Sequence, residues 1–260
     1  MSKPDWNAFP HDATAFQYAG DALKAQWGRL HQGDQEPWPE DAQVQEAWRR
    51  YHAGDFAGAV EAGLAAGTAG FNAANKATSI YATYLIDDED EKKELFLQVS
   101  KRAEQLIAAN PDNINAHYQF AYAMGRYSQA ISVATALAQG IAGKVKTALE
   151  KTLALAPEHA EAHIAMGAYH AEIIDKVGGM VGGLTYGVSK DKSVAHYEKA
   201  LELAPFSAIA RIEYANGLLM LFGNKKVKEA TKLYNEAAEV EPADAMEKLD
   251  VEFARSELED

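Results

Sequence analysis

Tyr197-Glu198-Lys199-Ala200-Leu201-Glu202-Leu203-Ala204-Pro205 is the stretch whose reading decides the fold. Tyr197, Ala200 and Leu201 fall at i, i+3 and i+4, one face of a helix. Leu203 extends that face. Pro205 ends it, because proline has no backbone N–H to donate and clashes with the preceding turn. Three other stretches have the same form. Leu106 to Pro111, Leu153 to Pro157 and Val240 to Pro242 each place a proline after an apolar helix end, with spacings of 46, 48 and 37 residues from Pro111 to Pro242. Recurrence of that kind predicts stacked helical hairpins.

The residues around these prolines resemble the tetratricopeptide family, whose unit is about 34 residues of helix–turn–helix. Its first helix carries a small residue midway, and here Ala121, Gly167 and Ala215 each lie ten residues past a proline. Its second helix carries small, aromatic and small residues before the proline. Ala230, Tyr234 and Ala237 match all three, and Tyr197 and Ala200 match two, with Ser193 in the first slot. Val145, Leu149 and Thr152 before Pro157 match less well. Gly54-Asp55-Phe56 followed by Ala59 resembles the turn between the helices of a unit. The resemblance spans roughly residues 40 to 242. It implies an all-α, right-handed α-solenoid of four or five hairpins, with segments 1–39 and 243–260 packed on its ends. It also implies a concave face lined by the first helices. Carried over by position, that face is Asn115, Tyr118, Tyr122 and Arg126, then Glu161, Ile164, Ala168 and Glu172, then Ile209, Ile212, Asn216 and Met220.

A length of 260 residues allows one large domain or an elongated array. A net charge of −13 argues against a nucleic-acid partner, since phosphate contacts are made by lysine and arginine. The chain has no cysteine, hence no disulfide frame and no thiol chemistry, which suits a reducing, cytoplasmic setting. No run reaches the roughly 18 apolar residues of a membrane span, and Met1 to Trp6 has no apolar signal core.

Along the chain, residues 1–11 read as a polar arm containing Pro4 and Pro10. Asp12 is placed to cap a helix running to Leu30, with Phe16, Leu23, Trp27 and Leu30 on one stripe. His31 to Pro39 reads as a linker. Residues 40–69 read as a first hairpin and Phe71 to Ile86 as a further helix. A helix ending at Ala109 follows the acidic run Asp87 to Glu91, whose charge suits a helix N-terminus. Two units exceed the family period by about a dozen residues or more. The excess around Tyr127 to Gly143 can be helical. The excess at Lys176 to Lys190 contains five glycines and reads as a loop, its Met180, Val181, Leu184 and Tyr186 folded back onto the protein. After Pro242 a charged helix to Leu258 would cap the array.

Within the tetratricopeptide-like proteins, the chain is similar to the regulator-of-microtubule-dynamics family and to the T-components associated with TRAP transporters. The residues that carry this are His163 to Lys176, Leu184-Thr185-Tyr186-Gly187 and His196 to Ala200. That similarity implies ligand or partner binding without chemistry. T-components are exported lipoproteins, and the absence of cysteine here departs from that anchoring.

Reactive constellations are weak. Ser189-Lys190-Asp191-Lys192 fits a Ser-x-x-Lys pattern without its companion motifs, and a helix start capped by Asp191 explains it better. The glycine segment lacks the Gly-Lys-Ser/Thr ending of a phosphate loop. His163 and His170 share a helical face, but seven residues rise roughly 10.5 Å, too far to grip one metal ion. His117, His163 and Arg211 share a column six residues past a proline, and packing or hydrogen bonding is its default role. No catalytic residue, metal site or cofactor is therefore expected. The leading expectation is recognition of a peptide or protein in the concave groove, with Arg126 pairing a carboxylate. The alternative is a small organic acid or lipid-like ligand in a pocket closed by Met180, Leu184 and Tyr186.

Overall fold

The computed structural model describes residues 5–259, so Pro4 of the expected arm and Asp260 lie outside the described residues. Every long element is a helix: α1 (Ala22–Leu30), α2 (Ala42–His52), α3 (Phe56–Ala65), α4 (Phe71–Tyr84), α5 (Glu89–Ala109), α6 (Ile114–Gln129), α7 (Val133–Ala138), α8 (Ile141–Leu155), α9 (Ala160–Val177), α10 (Gly179–Tyr186), α11 (Lys190–Leu203), α12 (Ala208–Phe222), α13 (Val227–Ala238) and α14 (Ala245–Glu259). No strand occurs among the described residues. Helices α2/α3, α4/α5, α6/α8, α9/α11 and α12/α13 pack as hairpins, an all-α helical-repeat architecture of the solenoid type, with α1 before them and α14 after them in the chain.

The chain forms two compact units. The first holds residues 5–31, Glu36–Leu155 and Ala243–Met246; the second holds Gln32–Gln35, Ala156–Pro242 and residues 247–259.

The proline turns explain why the hairpins repeat. The N–H two residues past Pro111, Pro157 and Pro205 donates to the carbonyl one residue before the proline: Asn113 to Asn110 at 3.1 Å, His159 to Ala156 at 3.1 Å and Ser207 to Ala204 at 3.0 Å. Proline suits the second position of such a turn because its φ is already set. The same Asn113, His159 and Ser207 then cap the next helix with their side chains, accepting from Ala116, Ala162 and Ala210. Four residues further on, His117 Nε2 donates to Pro111 O at 2.8 Å and His163 Nε2 to Pro157 O at 3.0 Å. Arg211 Nη1 donates to Ser207 O at 3.0 Å. The histidine–arginine column therefore braces the turns by hydrogen bonding.

In the first unit, Gly54 ends α2 at φ +84° and Asp55 caps α3 through Gly58 N. Leu95, Val99, Ala103 and Leu106 of α5 are buried as their spacing requires. Arg102 joins α5 to α4, donating to Asn75 Oδ1 and Thr78 Oγ1 at 2.8 Å each. Burial pushes its pKa down to about 10. His31, His52 and Asp244 form a buried chain: Asp244 Oδ2 lies 2.7 Å from His52 Nδ1, and His52 Nε2 lies 3.2 Å from His31 Nε2.

In the second unit the core is built on Tyr197. Its ring is 1% exposed, stacks on Tyr214 at 5.3 Å and lies between two glycines. A Cβ on Gly167 of α9 would sit 2.9 Å from the ring, and one on Gly217 of α12 would sit 2.5 Å from it. Ser193 Oγ donates to Gly167 O at 2.7 Å, so the first slot of α11 ties the same crossing.

Three expectations are corrected. The helix expected from Asp12 to Leu30 is broken: a single 3₁₀ turn, Thr14–Phe16, precedes α1, and Gly20 at φ +57° breaks the path between them. The stripe Phe16, Leu23, Trp27 and Leu30 is nonetheless buried, because tertiary packing rather than one continuous helix aligns it. The glycine segment is not a loop, because it contains α10, and Met180, Val181 and Leu184 face solvent instead of folding back. Helix α11 is capped by Ser189, which accepts from Lys192 N, while Asp191 lies in its first turn.

Candidate functional site

In the first unit, the C-terminal ends of α4 and α6 and the first turns of α5 border an open hollow of about 220 Å³. Its lining is Ala82, Thr83, Glu89, Lys92, Phe96, Arg126, Gln129 and Ala130. Helix α5 starts at the hollow because Asp88 caps it, accepting from Asp90 N and Glu91 N. That cap places Glu89 and Lys92 at the rim, joined at 2.8 Å, and Phe96 one turn deeper.

Tyr122 touches three of the lining residues, Thr83, Phe96 and Arg126. Thr83 Oγ1 donates to Ser79 O at 2.8 Å, so the hydroxyl of Tyr122, 2.9 Å from Thr83 Oγ1, is the donor in that contact. Phe96 meets Tyr122 edge-on at 6.4 Å, and Tyr118 lies 6.2 Å away. The guanidinium of Arg126 rests on the Tyr122 ring at 5.3 Å and donates to Gln129 Oε1 at 3.3 Å. Cation–π contact and that hydrogen bond orient a planar group of five N–H donors at the mouth of the hollow. Its lining holds two cations, Lys92 and Arg126, and one carboxylate, Glu89, and the acidic run Asp87 to Glu91 borders it at the start of α5. Its volume is below the roughly 300 Å³ at which drug-sized pockets begin.

The inner-face residues expected from sequence divide sharply. Arg126 lines the hollow and rests on Tyr122, and Tyr118 is buried beside Tyr122. Asn115 is already engaged: its Nδ2 donates to Glu36 at 2.6 Å, and Asn72 Nδ2 donates to the same carboxylate at 3.0 Å. In the second unit, Glu161 lies against Gly33, whose carbonyl accepts from Glu161 N at 3.0 Å. Ile164 is buried with Tyr197, Tyr214 and Leu218, and Ile212 with Ala208, Ala237, Val251 and Ala254, so both are core and offer no recognition surface. Glu172 pairs with Lys176 at 3.5 Å, Asn216 accepts from the Tyr234 hydroxyl at 2.8 Å, and Met220 is exposed. Tyr186 ends α10, and Met180 and Leu184 are exposed on it. Lys92, Phe96 and Thr83 escaped the sequence reading. The i, i+4 pairing of Lys92 with Phe96 after an acidic helix start was the only local signal.

Among the described residues, no group of three or more histidine, aspartate or glutamate side chains is placed to hold a metal ion. His163 Nδ1 and His196 Nδ1 meet at 2.9 Å. The Pro157 carbonyl takes the proton on His163 Nε2, so His196 Nδ1 is the donor between the rings. Burial lowers both pKa values, that of His196 to about 4 with His163 adding to it.

The family model described as regulator of microtubule dynamics protein 1-3 matches residues 72–258, which takes in the hollow and the whole Tyr197 core. The chain belongs to this family. Among solved structures, a thermophilic TPR protein from Thermus thermophilus is 17% identical, covers 82% of this chain and 97% of its own, and superposes with a TM-score of 0.55. At that identity the likeness shows the fold alone. No curated protein sequence matches the chain.

Proposed function

We propose that the protein is a non-catalytic scaffold of the tetratricopeptide-like kind, and that it recognises a peptide or protein through the Arg126 hollow. The observation that carries this reading is Arg126, laid on the Tyr122 ring, at a small hollow that Phe96 and Lys92 also line. Arginine suits planar carboxylates because two parallel N–H donors match two oxygens. A hollow of about 220 Å³ takes the tip of an acidic side chain or a chain terminus, with the rest of the partner lying on the surface outside. In this reading residues 40–242 are the recognition array, 1–39 and 243–260 brace its ends, and the protein works in the cytoplasm without a cofactor. No described helix is long and apolar enough to cross a membrane.

The test is titration of fluorescein-labelled short acidic peptides against the full chain and against Arg126→Gln and Tyr122→Ala. A hydrogen bond to a charged group contributes roughly 1.5–3 kcal/mol, so Arg126→Gln is expected to weaken binding by about tenfold or more. Equal affinity of wild type and both variants counts against the hollow. A small organic acid is the second reading, favoured by the modest volume. Saturable binding of free acetate or benzoate, lost in Arg126→Gln, with no peptide binding, would select it. The closing segment expected for that pocket has no support, since Met180 and Leu184 stand in solvent on α10.

A further inference from the structure

Ten large apolar side chains are exposed among the described residues, and six of them lie at one end of the second unit: Met180, Val181, Leu184, Leu219, Met220 and Val227. Antiparallel packing gathers them there. The α9–α11 connection, which holds α10, and the α12–α13 turn meet at that end, because Lys190 Nζ at the start of α11 donates to Leu221 O at the end of α12. The Lys190 ammonium also lies over the Phe222 ring at 4.9 Å, with that of Lys226 at 6.0 Å.

Helix α10 is an unusual carrier. Gly179, Gly182 and Gly183 make it a poor helix by propensity. It is held by Gly182, where a Cβ would fall 2.9 Å from Val188 and 3.3 Å from Ile173. Gly182 is the buried residue of the helix, and Met180 and Leu184, at i and i+4, project outward at 82% and 86% exposure. An apolar surface of this kind left in water marks a contact.

The charge around it says what kind. Six lysines sit at this end, Lys176, Lys190, Lys192, Lys225, Lys226 and Lys228, against four carboxylates, Glu172, Asp175, Asp191 and Glu229, in a chain that is otherwise strongly acidic. Two of the carboxylates are engaged, Glu172 with Lys176 and Glu229 with Lys226. A second copy of this face would set lysines against lysines. A bilayer with anionic headgroups is complementary on both counts: apolar side chains reach the acyl boundary, and lysines snorkel to the phosphates. We infer that this end of the second unit is a peripheral membrane-contact surface, α10 inserting Met180 and Leu184 while the lysines of both turns meet anionic headgroups. The inference stands apart from the Arg126 hollow and survives or fails without it.

The experiment is flotation of the full chain with vesicles of phosphatidylcholine alone or with about 30 mol% phosphatidylglycerol, at low and high salt. Co-flotation with the anionic vesicles is expected, at least about tenfold weaker on phosphatidylcholine alone and weaker at high salt. Met180→Glu/Leu184→Glu is expected to lower partitioning by about tenfold or more, with unchanged circular dichroism and melting temperature because both side chains are exposed. Lys225→Glu/Lys228→Glu is expected to remove the preference for anionic vesicles. The inference is overturned if the wild type does not float at millimolar lipid, or if neither variant changes flotation. It is also overturned if light scattering shows a dimer that Met180→Glu/Leu184→Glu dissolves, which would make a second copy the occupant.

Discussion

Gly217→Ala tests the core of the second unit most directly. The added methyl would sit 2.5 Å from Tyr197 Cε2 and 2.9 Å from its hydroxyl, where ordinary contact needs about 3.4 Å or more. The ring cannot retreat. It is 1% exposed, Gly167 closes its far side at 2.9 Å and Tyr214 stacks on it at 5.3 Å. Overpacking of this kind costs roughly 1–3 kcal/mol, and a boxed aromatic ring puts the case near the upper end. Alanine in mid-helix returns about 1 kcal/mol relative to glycine. The net expectation is a loss of about 2 kcal/mol, or a melting temperature lower by roughly 4–8 °C for a chain of this size. Gly125→Ala in α6 is the matched control, since a Cβ there meets nothing within 4 Å. It is expected to raise the melting temperature by roughly 2–4 °C. Thermal melts followed by circular dichroism read both, and Tyr197→Leu should shrink the Gly217→Ala penalty by making room. If Gly217→Ala is as stable as wild type while Gly125→Ala behaves as expected, the wedge of Tyr197 between two backbones is not what sets the α9–α11–α12 crossing.

Three further outcomes are expected. Asp244→Ala should cost roughly 2–4 kcal/mol in urea denaturation, because it strips a buried histidine of its 2.7 Å partner; a neutral result would mean that His31 and His52 repack alone. The His163–His196 pair should make stability pH-dependent. Folding lowers both pKa values, so the contribution is complete above about pH 6.5 and is lost as pH falls toward about 4, where His196 titrates in the folded chain, by on the order of 1 kcal/mol given partial exposure; His196→Gln should flatten that part of the curve. Arg126→Gln should leave the melting temperature within about 1 °C of wild type while weakening peptide capture, since its contacts with Tyr122 and Gln129 are at the surface; a large loss of stability would recast Arg126 as a structural residue.

Much of the fold was legible because its signals are local. A proline after an apolar helix end, a polar cap two residues on and a bracing side chain at the sixth position are set by backbone chemistry within one turn, and all three recur at Pro111, Pro157 and Pro205. The buried stripe of α5 follows from helical period in the same way. Gly167 was legible as a small residue at a crossing. Gly217, the tighter contact, was not, since only packing brings α12 to the other side of Tyr197.

The site was legible in part, for the same reason. Tyr122 and Arg126 are one helical turn apart, so their contact is written in the sequence. Thr83, Lys92 and Phe96 come from two other helices, and no spacing connects them to Arg126. Ile164 and Ile212 have the right register for an inner face, yet register says nothing about what covers that face, and neighbouring side chains bury both. Glycine count misread α10, where a helix is stabilised by close packing of Gly182 on Val188 and not by propensity. The Asp244–His52 bond joins residues 192 apart, a partner choice that only the folded chain makes. Sequence by itself determined the helices, their ends and their recurrence, because those depend on neighbours within about four residues. Tertiary structure decided which faces are covered and which side chains from distant helices share a cavity, because burial and encounter depend on where the whole chain goes.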